Sequence, residues 1–236
     1  MKLAGFQGTT LIDYPGRVAA TLFSVGCNFR CPFCHNAELV LPERERGLSL
    51  FEPDDVLEAL SRRAGFLDGV VLSGGEPTLQ EDLEAFAARL KELGLLVKLD
   101  TNGSRPERVS ALLDRALLDA VAIDVKAPPD RYSEFAGPDA APDAVGETIT
   151  LLKSSSVEYE LRTTVAPGLA SDDIVRIVEW ITPAATYFLQ GFRVPDEGEK
   201  GLLDPSWAAR PALGRSELQA IWNVISPSFD DGGVRA

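Results

Sequence analysis

Cysteine is scarce in this 236-residue chain, lysine and arginine are outnumbered, and long apolar runs are missing. Each shortage excludes something. The 23 basic residues against 36 acidic ones leave a net charge of −13, and no basic run exceeds a few residues. Such a surface repels phosphate backbones, so neither nucleic acid nor an anionic membrane is an expected partner. No apolar stretch approaches the roughly 20 residues that span a bilayer. Residues 1–15 mix polar and apolar side chains around Asp13, unlike the basic start and apolar core of a secretory signal. The expected compartment is the cytoplasm, where thiols stay reduced. The chain shows no low-complexity tract and no repeat beyond an alternation of strand and helix. Its length suits one domain, or one domain with a small appendage.

The three cysteines there are, Cys27, Cys31 and Cys34, lie in one run, Gly26-Cys27-Asn28-Phe29-Arg30-Cys31-Pro32-Phe33-Cys34-His35-Asn36. An odd number cannot all pair in disulfides, and neighbours three or four residues apart would close strained rings. Convergence on a metal is the natural cause. A closed structural zinc or iron–sulfur site normally takes four protein ligands, so three thiolates leave one coordination position open. A second reading stays open at this level: a zinc site completed by His35, the only histidine. A ligand one residue after Cys34 is sterically awkward, which makes His35 a loop-packing residue first.

Short aliphatic and β-branched runs at 18–25, 69–73, 96–100, 120–125, 159–164 and 186–191 end in Gly, Asp, Asn or Ser, with amphipathic stretches between them at 53–63, 80–93, 106–117, 142–153 and 171–181. This is βα alternation with six strands. Strands this apolar belong in a parallel sheet. Six units are too few for a closed eight-unit barrel, so the expected fold is α/β, an open or partial barrel with functional groups at the C-terminal ends of the strands. Residues 195–211 read as a long loop before a last helix at 216–225, and the tail beyond Ser226 reads as frayed. The expected division is a core over 1–194 and a loop-and-helix extension over 195–236.

The strand ends carry the remaining candidates. Ser73-Gly74-Gly75-Glu76-Pro77 ends the second strand. Two glycines let a backbone approach a ligand, and a carboxylate beside them can accept from an ammonium group; an ordinary βα turn would also look like this. Asp100-Thr101-Asn102-Gly103 and Asp124-Val125-Lys126 end the third and fourth strands, and both could be caps and turns. If the strands are parallel, Asp100, Asp124 and Lys126 project to the same face as the cysteine loop. Arg162 at the fifth strand end and Gln190 near the sixth complete a ring of polar groups, with Arg193 a weaker candidate.

The C-x3-C-x2-C spacing, with Phe33 before the last cysteine, resembles the radical S-adenosylmethionine (SAM) superfamily. The resemblance implies a 4Fe-4S cluster on Cys27, Cys31 and Cys34 whose fourth iron binds SAM, and reductive cleavage of SAM to a hydrogen-abstracting radical. It further implies that Gly74, Gly75 and Glu76 meet the methionyl amine. Asp100, Thr101, Asn102, Asp124 and Lys126 then surround SAM, with a monovalent cation near its carboxylate, while Arg162 reaches its carboxylate or ribose. Gln190 would line the substrate side. Together with Gly5-Phe6-Gln7-Gly8-Thr9-Thr10-Leu11-Ile12-Asp13-Tyr14-Pro15-Gly16, the cysteine run is similar to the activating proteins of anaerobic ribonucleoside-triphosphate reductase. That likeness implies a partial (β/α)6 TIM-like barrel that forms a glycyl radical on a partner enzyme. With no cysteine outside the triad a second cluster is excluded, so flavodoxin or ferredoxin would be the reductant. Two alternatives remain at this stage: the same cofactors acting on a small molecule such as a pterin, as in 7-carboxy-7-deazaguanine synthases, and a non-catalytic metal-binding module.

Overall fold

Alternate side chains on the central strands go to opposite sides, and the two sides differ in chemistry. Val97 and Leu99, Val121 and Ile123, Leu161 and Thr163, Tyr187 and Leu189 are buried, and apart from Thr163 they join one apolar cluster with helix residues such as Phe86, Leu112, Ile149 and Ile177. Lys98, Asp100, Asp124, Glu160, Arg162 and Thr164 have the opposite parity, and they line a charged inner face. The computed structural model describes residues 1–41, 47–196 and 201–235.

The strands are β1 Leu3–Thr10, β2 Ala19–Ser24, β3 Gly69–Gly74, β4 Leu96–Thr101, β5 Ala120–Asp124, β6 Glu158–Val165, β7 Thr186–Gly191 and β8 Asp231–Arg235. They form one sheet in the order β1 to β8, with β1 and β8 at its two edges. β1 runs antiparallel to β2, and every later pair is parallel. The sheet is therefore not closed, as a partial barrel requires. The helices are α1 Ala37–Val40, α2 Pro53–Ser61, α3 Leu83–Glu92, α4 Pro106–Asp114, α5 Tyr132–Ala136, α6 Pro142–Lys153, α7 Ser171–Ile181 and α8 Arg215–Ile225. Proline opens α2, α4 and α6, where its missing N–H removes no helical hydrogen bond. Among the described residues, no helix is long and apolar enough to cross a membrane.

The six expected strands are β2 to β7. Two more flank them, one before the first expected strand and one in the segment read from sequence as a frayed tail. β1 carries Gly5 and Gly8 and two register irregularities, which blur its period; Gly5 is needed because a Cβ there would lie 2.8 Å from the Phe23 ring. β8 has the sequence Asp-Gly-Gly-Val-Arg, poor in strand formers. It pairs because Phe229 packs on Tyr187 and Trp222, at 5.0 and 6.1 Å between ring centroids, and because Gly232 fits where a Cβ would fall 2.0 Å from the Tyr187 carbonyl oxygen. The expected loop 195–211 includes residues 197–200, which lie outside the described residues. Its later part holds a 3-10 turn, Pro205–Ala209, that buries Trp207.

Candidate active site

The cysteine loop leaves the C-terminal end of β2 and is laced to the end of β3, where Ser24 Oγ also donates to Ser73 O at 3.1 Å. Gly75 N–H donates to Ser24 O (2.9 Å) and Glu76 N–H to Gly26 O (2.7 Å). Gly74 sits at φ +115°, and a Cβ on Gly75 would lie 2.1 Å from Gly26 O. The glycine pair is therefore demanded by strand-end packing, whatever else approaches it. On the outer side the loop is held by a remote segment: Leu203 N–H donates to Cys34 O (3.1 Å) and Asp204 N–H to Pro32 O (2.9 Å). Phe33 packs on Trp207, which also meets Phe135 edge-on. Arg30 binds the loop from within through Cys27 O (2.5 Å) and Phe29 O (2.8 Å).

All three cysteines are free thiols on the wall of one cavity of about 210 Å³ at the C-terminal mouth of the barrel. Burial pushes Cys27 and Cys31 up to about 12 and raises Cys34 as well. Such thiols ionise only beside a strong local positive charge, which a metal supplies. Among the described residues, no three His, Cys, Asp or Glu side chains are gathered to share one ion, and the His35 ring instead lies 6.2 Å from that of Phe192. Three soft donors spread around a cavity fit a cluster that gives each thiolate its own iron.

Gly74, Gly75, Asp100, Thr101, Asn102, Asp124 and Lys126 line the same cavity as the thiols, Asn102 Nδ2 reaching Cys27 Sγ at 3.9 Å, and Phe33 lines it beside Cys34. Lys126 Nζ is 3.2 Å from Asp124 Oδ2, and Arg162 Nε donates to Asp124 Oδ1 at 2.9 Å. Burial alone would raise Asp124, but Arg162 and Lys126 outweigh it and hold the carboxyl well below the usual range. Burial likewise opposes the charge on Lys126, and Asp124 reverses this, raising it above the ordinary lysine value. Asp100 accepts from Lys98 at 2.7 Å and from Arg162 at 3.3 Å. Asp100 and Asp124 are thus bridged by the Arg162 guanidinium.

Four of the candidates read from sequence lie outside the lining, among them Arg193, which reaches Asp196 at 3.3 Å. Glu76 is fully buried, and its carboxylate faces protein donors: Oε1 accepts from Thr78 N–H (3.0 Å), Thr78 Oγ1 (2.6 Å) and Thr101 Oγ1 (2.7 Å), and Oε2 from Asn102 N–H (2.7 Å). It ties the end of β3 to the end of β4. Arg162 lies behind the two aspartates. Gln190 accepts from Thr164 Oγ1 at 3.5 Å, and Thr164 is the one that reaches the cavity. Sequence reasoning missed Phe29, Asn36 and Val40 on the wall. It also missed Lys98 and Glu160 below it, although each stands two residues before a named candidate on the same strand face. Asn102 Nδ2 donates to Asn28 Oδ1 (3.0 Å), so the β4 turn also grips the cysteine loop.

Three thiols and a polar wall at the strand ends of an open βα barrel define a cluster-bearing redox enzyme. Residues 21–181 match the Radical SAM superfamily, and the chain belongs to it. Within that superfamily it groups with the glycyl-radical enzyme activating enzymes: it is 34% identical over 239 residues to one from Methanocaldococcus jannaschii, covering 99% of this chain and 95% of that protein. A GTP 3′,8-cyclase from Thermococcus kodakarensis is 32% identical over 165 residues, 68% of this chain and 51% of the cyclase. The crystal structure of Streptococcus suis SuiB bound to S-adenosylmethionine superposes with a TM-score of 0.68 at 13% identity, covering 89% of this chain and 48% of that one. The chain thus spans about half the length of SuiB, and that likeness concerns the fold. Membership implies a 4Fe-4S cluster and SAM as cofactors, and the donor set described above fits both.

Proposed function

We propose that this enzyme forms a glycyl radical on a partner protein, and that the partner is an anaerobic ribonucleoside-triphosphate reductase. The observation that carries the reading is the cavity itself: three thiols and no fourth, facing a backbone turn and paired charges across about 210 Å³. When bound, the cluster supplies one electron to SAM, which then yields methionine and the radical that takes a hydrogen atom from the partner's glycine. Cys27, Cys31 and Cys34 hold the cluster. The Gly74-Gly75 turn presents backbone to an ammonium group on the cavity wall. Lys126 faces a carboxylate, and the Asp124 and Asp100 side chains face positive charge. Phe33 and Trp207 keep water from the outer side of the loop.

The glycyl-radical reading draws on the near full-length likeness to an activating enzyme, against half-length likeness to a small-molecule cyclase, and the choice of the reductase as partner rests on the resemblance of residues 5–16 and the cysteine run. A flavodoxin or ferredoxin supplies the electron, since no cysteine remains for a second cluster. The test is anaerobic reconstitution with iron and sulfide, reduction, and addition of SAM. The expected outcome is 5′-deoxyadenosine and methionine, lost in Cys27→Ala. Addition of the reductase should give a glycine-centred doublet by electron paramagnetic resonance. Turnover of a pterin beside a silent spectrum would refute the partner reading, and full activity in Cys27→Ala would refute the chemistry.

A further inference from the structure

Beneath Asp100 and Asp124 the barrel holds three more charged side chains that the proposed chemistry does not use: Lys98 on β4, Glu160 on β6 and Arg235 on β8. Lys98 and Glu160 are almost wholly buried, with side-chain exposures of 3% and 10%, while Arg235 retains 36%. The three open on a second cavity, of about 420 Å³, at the N-terminal mouth. Arg235 lies over the Phe188 ring at 3.4 Å and grips Glu160 with both terminal nitrogens, at 3.2 and 2.8 Å.

The distances show which way the shared cations lean. Arg162 has three carboxylates within reach, and its shortest contact is upward, 2.9 Å to Asp124, against 3.3 Å to Asp100 and 3.5 Å to Glu160. Lys98 lies 2.7 Å from Asp100 and 3.7 Å from Glu160. A buried carboxylate draws the nearest cation unless another satisfies it. Arg235 is that other cation for Glu160. Without it, Glu160 would compete with Asp100 and Asp124 for Arg162 and Lys98, and the two aspartates at the upper cavity would lose the partners that fix them.

We propose that Arg235 is a positioning residue: by saturating Glu160 it leaves Arg162 and Lys98 to Asp100 and Asp124, so the last strand of the sheet sets the carboxylate geometry at the SAM site. The assignment rests on reading the upper cavity as that site. It makes a strand at the far edge of the sheet part of cofactor recognition without any contact to the cofactor.

The test is SAM affinity by calorimetry on the anaerobically reconstituted full chain, with thermal midpoints alongside. Arg235→Met keeps an apolar stack on Phe188 and should weaken SAM binding about tenfold. Arg235→Lys should restore part of it. The double variant Glu160→Gln with Arg235→Met removes the competing carboxylate and should return the affinity to within about threefold of wild type, a coupling that independent sites do not show. Unchanged affinity in Arg235→Met beside a lowered midpoint would make Arg235 merely structural and overturn the proposal. A double variant no better than the single one would also overturn it. Wild-type protein that binds no SAM would overturn the site reading and the relay together.

Discussion

Glu76 shows how a single residue can matter to a site it does not line. Its motif reads as a ligand-binding carboxylate, yet its two oxygens accept from Thr78, Thr101 and Asn102 and so lock two strand ends together. Burial pushes its carboxyl up, and the hydrogen-bond donors offset part of that shift. Replacement by glutamine sets an NH2 group against these donors, leaving buried N–H or O–H groups unpaired. Glu76→Gln should lose about 1–3 kcal/mol of stability in urea unfolding of the cluster-free protein, and SAM affinity should fall with it because Thr101 and Asn102 carry the cavity wall. An unchanged urea midpoint would show that the carboxylate is not the tie. The same logic explains the glycines: Gly75 is fixed by the 2.1 Å approach of Gly26 O to its missing Cβ, a constraint no reading of Gly-Gly as a ligand turn contains.

At the scale of elements, the segment after residue 201 acts as a strap on the cysteine loop. Two backbone hydrogen bonds, to Cys34 O and Pro32 O, and the buried Trp207 between Phe33 and Phe135 hold it there. Trp207→Ala should cost about 3–5 kcal/mol, the usual loss for a buried aromatic, and the reconstituted cluster should bleach faster in air than in wild type, followed by its visible absorbance. Equal bleaching rates would remove the strap from any protective role. β2 to β7 were legible in the sequence because each is an apolar run closed by turn residues, and so was the cysteine loop, because all its ligands are local. β1, β8 and the strap were not legible because their own sequence signal is weak and contacts outside each segment hold them: β1 has glycines and register shifts and packs on the Phe23 strand, β8 is glycine-rich and is held through Phe229 on Tyr187 and Trp222, and the strap is held by Pro32 and Cys34 far away in the chain. The ion pairs behind the site were half legible, since parity on β4 and β6 aligns Lys98 with Asp100 and Glu160 with Arg162, while the Arg235 contact depends on a strand with almost no strand signal.

For the molecule as a whole, an open sheet with an apolar outer side and a charged inner side divides its labour. The outer side, packed by helices, supplies cohesion. The inner ion pairs are weak contributors to stability, because desolvation offsets much of their attraction, but they must respond to acid. Burial would raise Glu160, yet its hydrogen bonds to Arg235, together with Arg162 and Lys98, hold it below the ordinary carboxylate value. A carboxyl whose folded pKa is depressed adds stability above its unfolded pKa and loses it as pH falls through the folded value, since the unfolded chain takes up the proton first. The wild-type thermal midpoint should therefore fall more steeply below about pH 4.3 than that of the double variant Glu160→Gln with Arg235→Met. The raised carboxyl of Glu76 has the opposite sign, but it is common to both proteins and cancels in the comparison. Because the double variant removes both charges together, it leaves neither partner buried alone, and the slope isolates the titration of Glu160 whatever the two midpoints are at neutral pH. Parallel curves, measured from pH 7 to 3.5 on the cluster-free protein, would mean that Glu160 is not ionised in the fold, and Arg235 would then have no carboxylate to restrain.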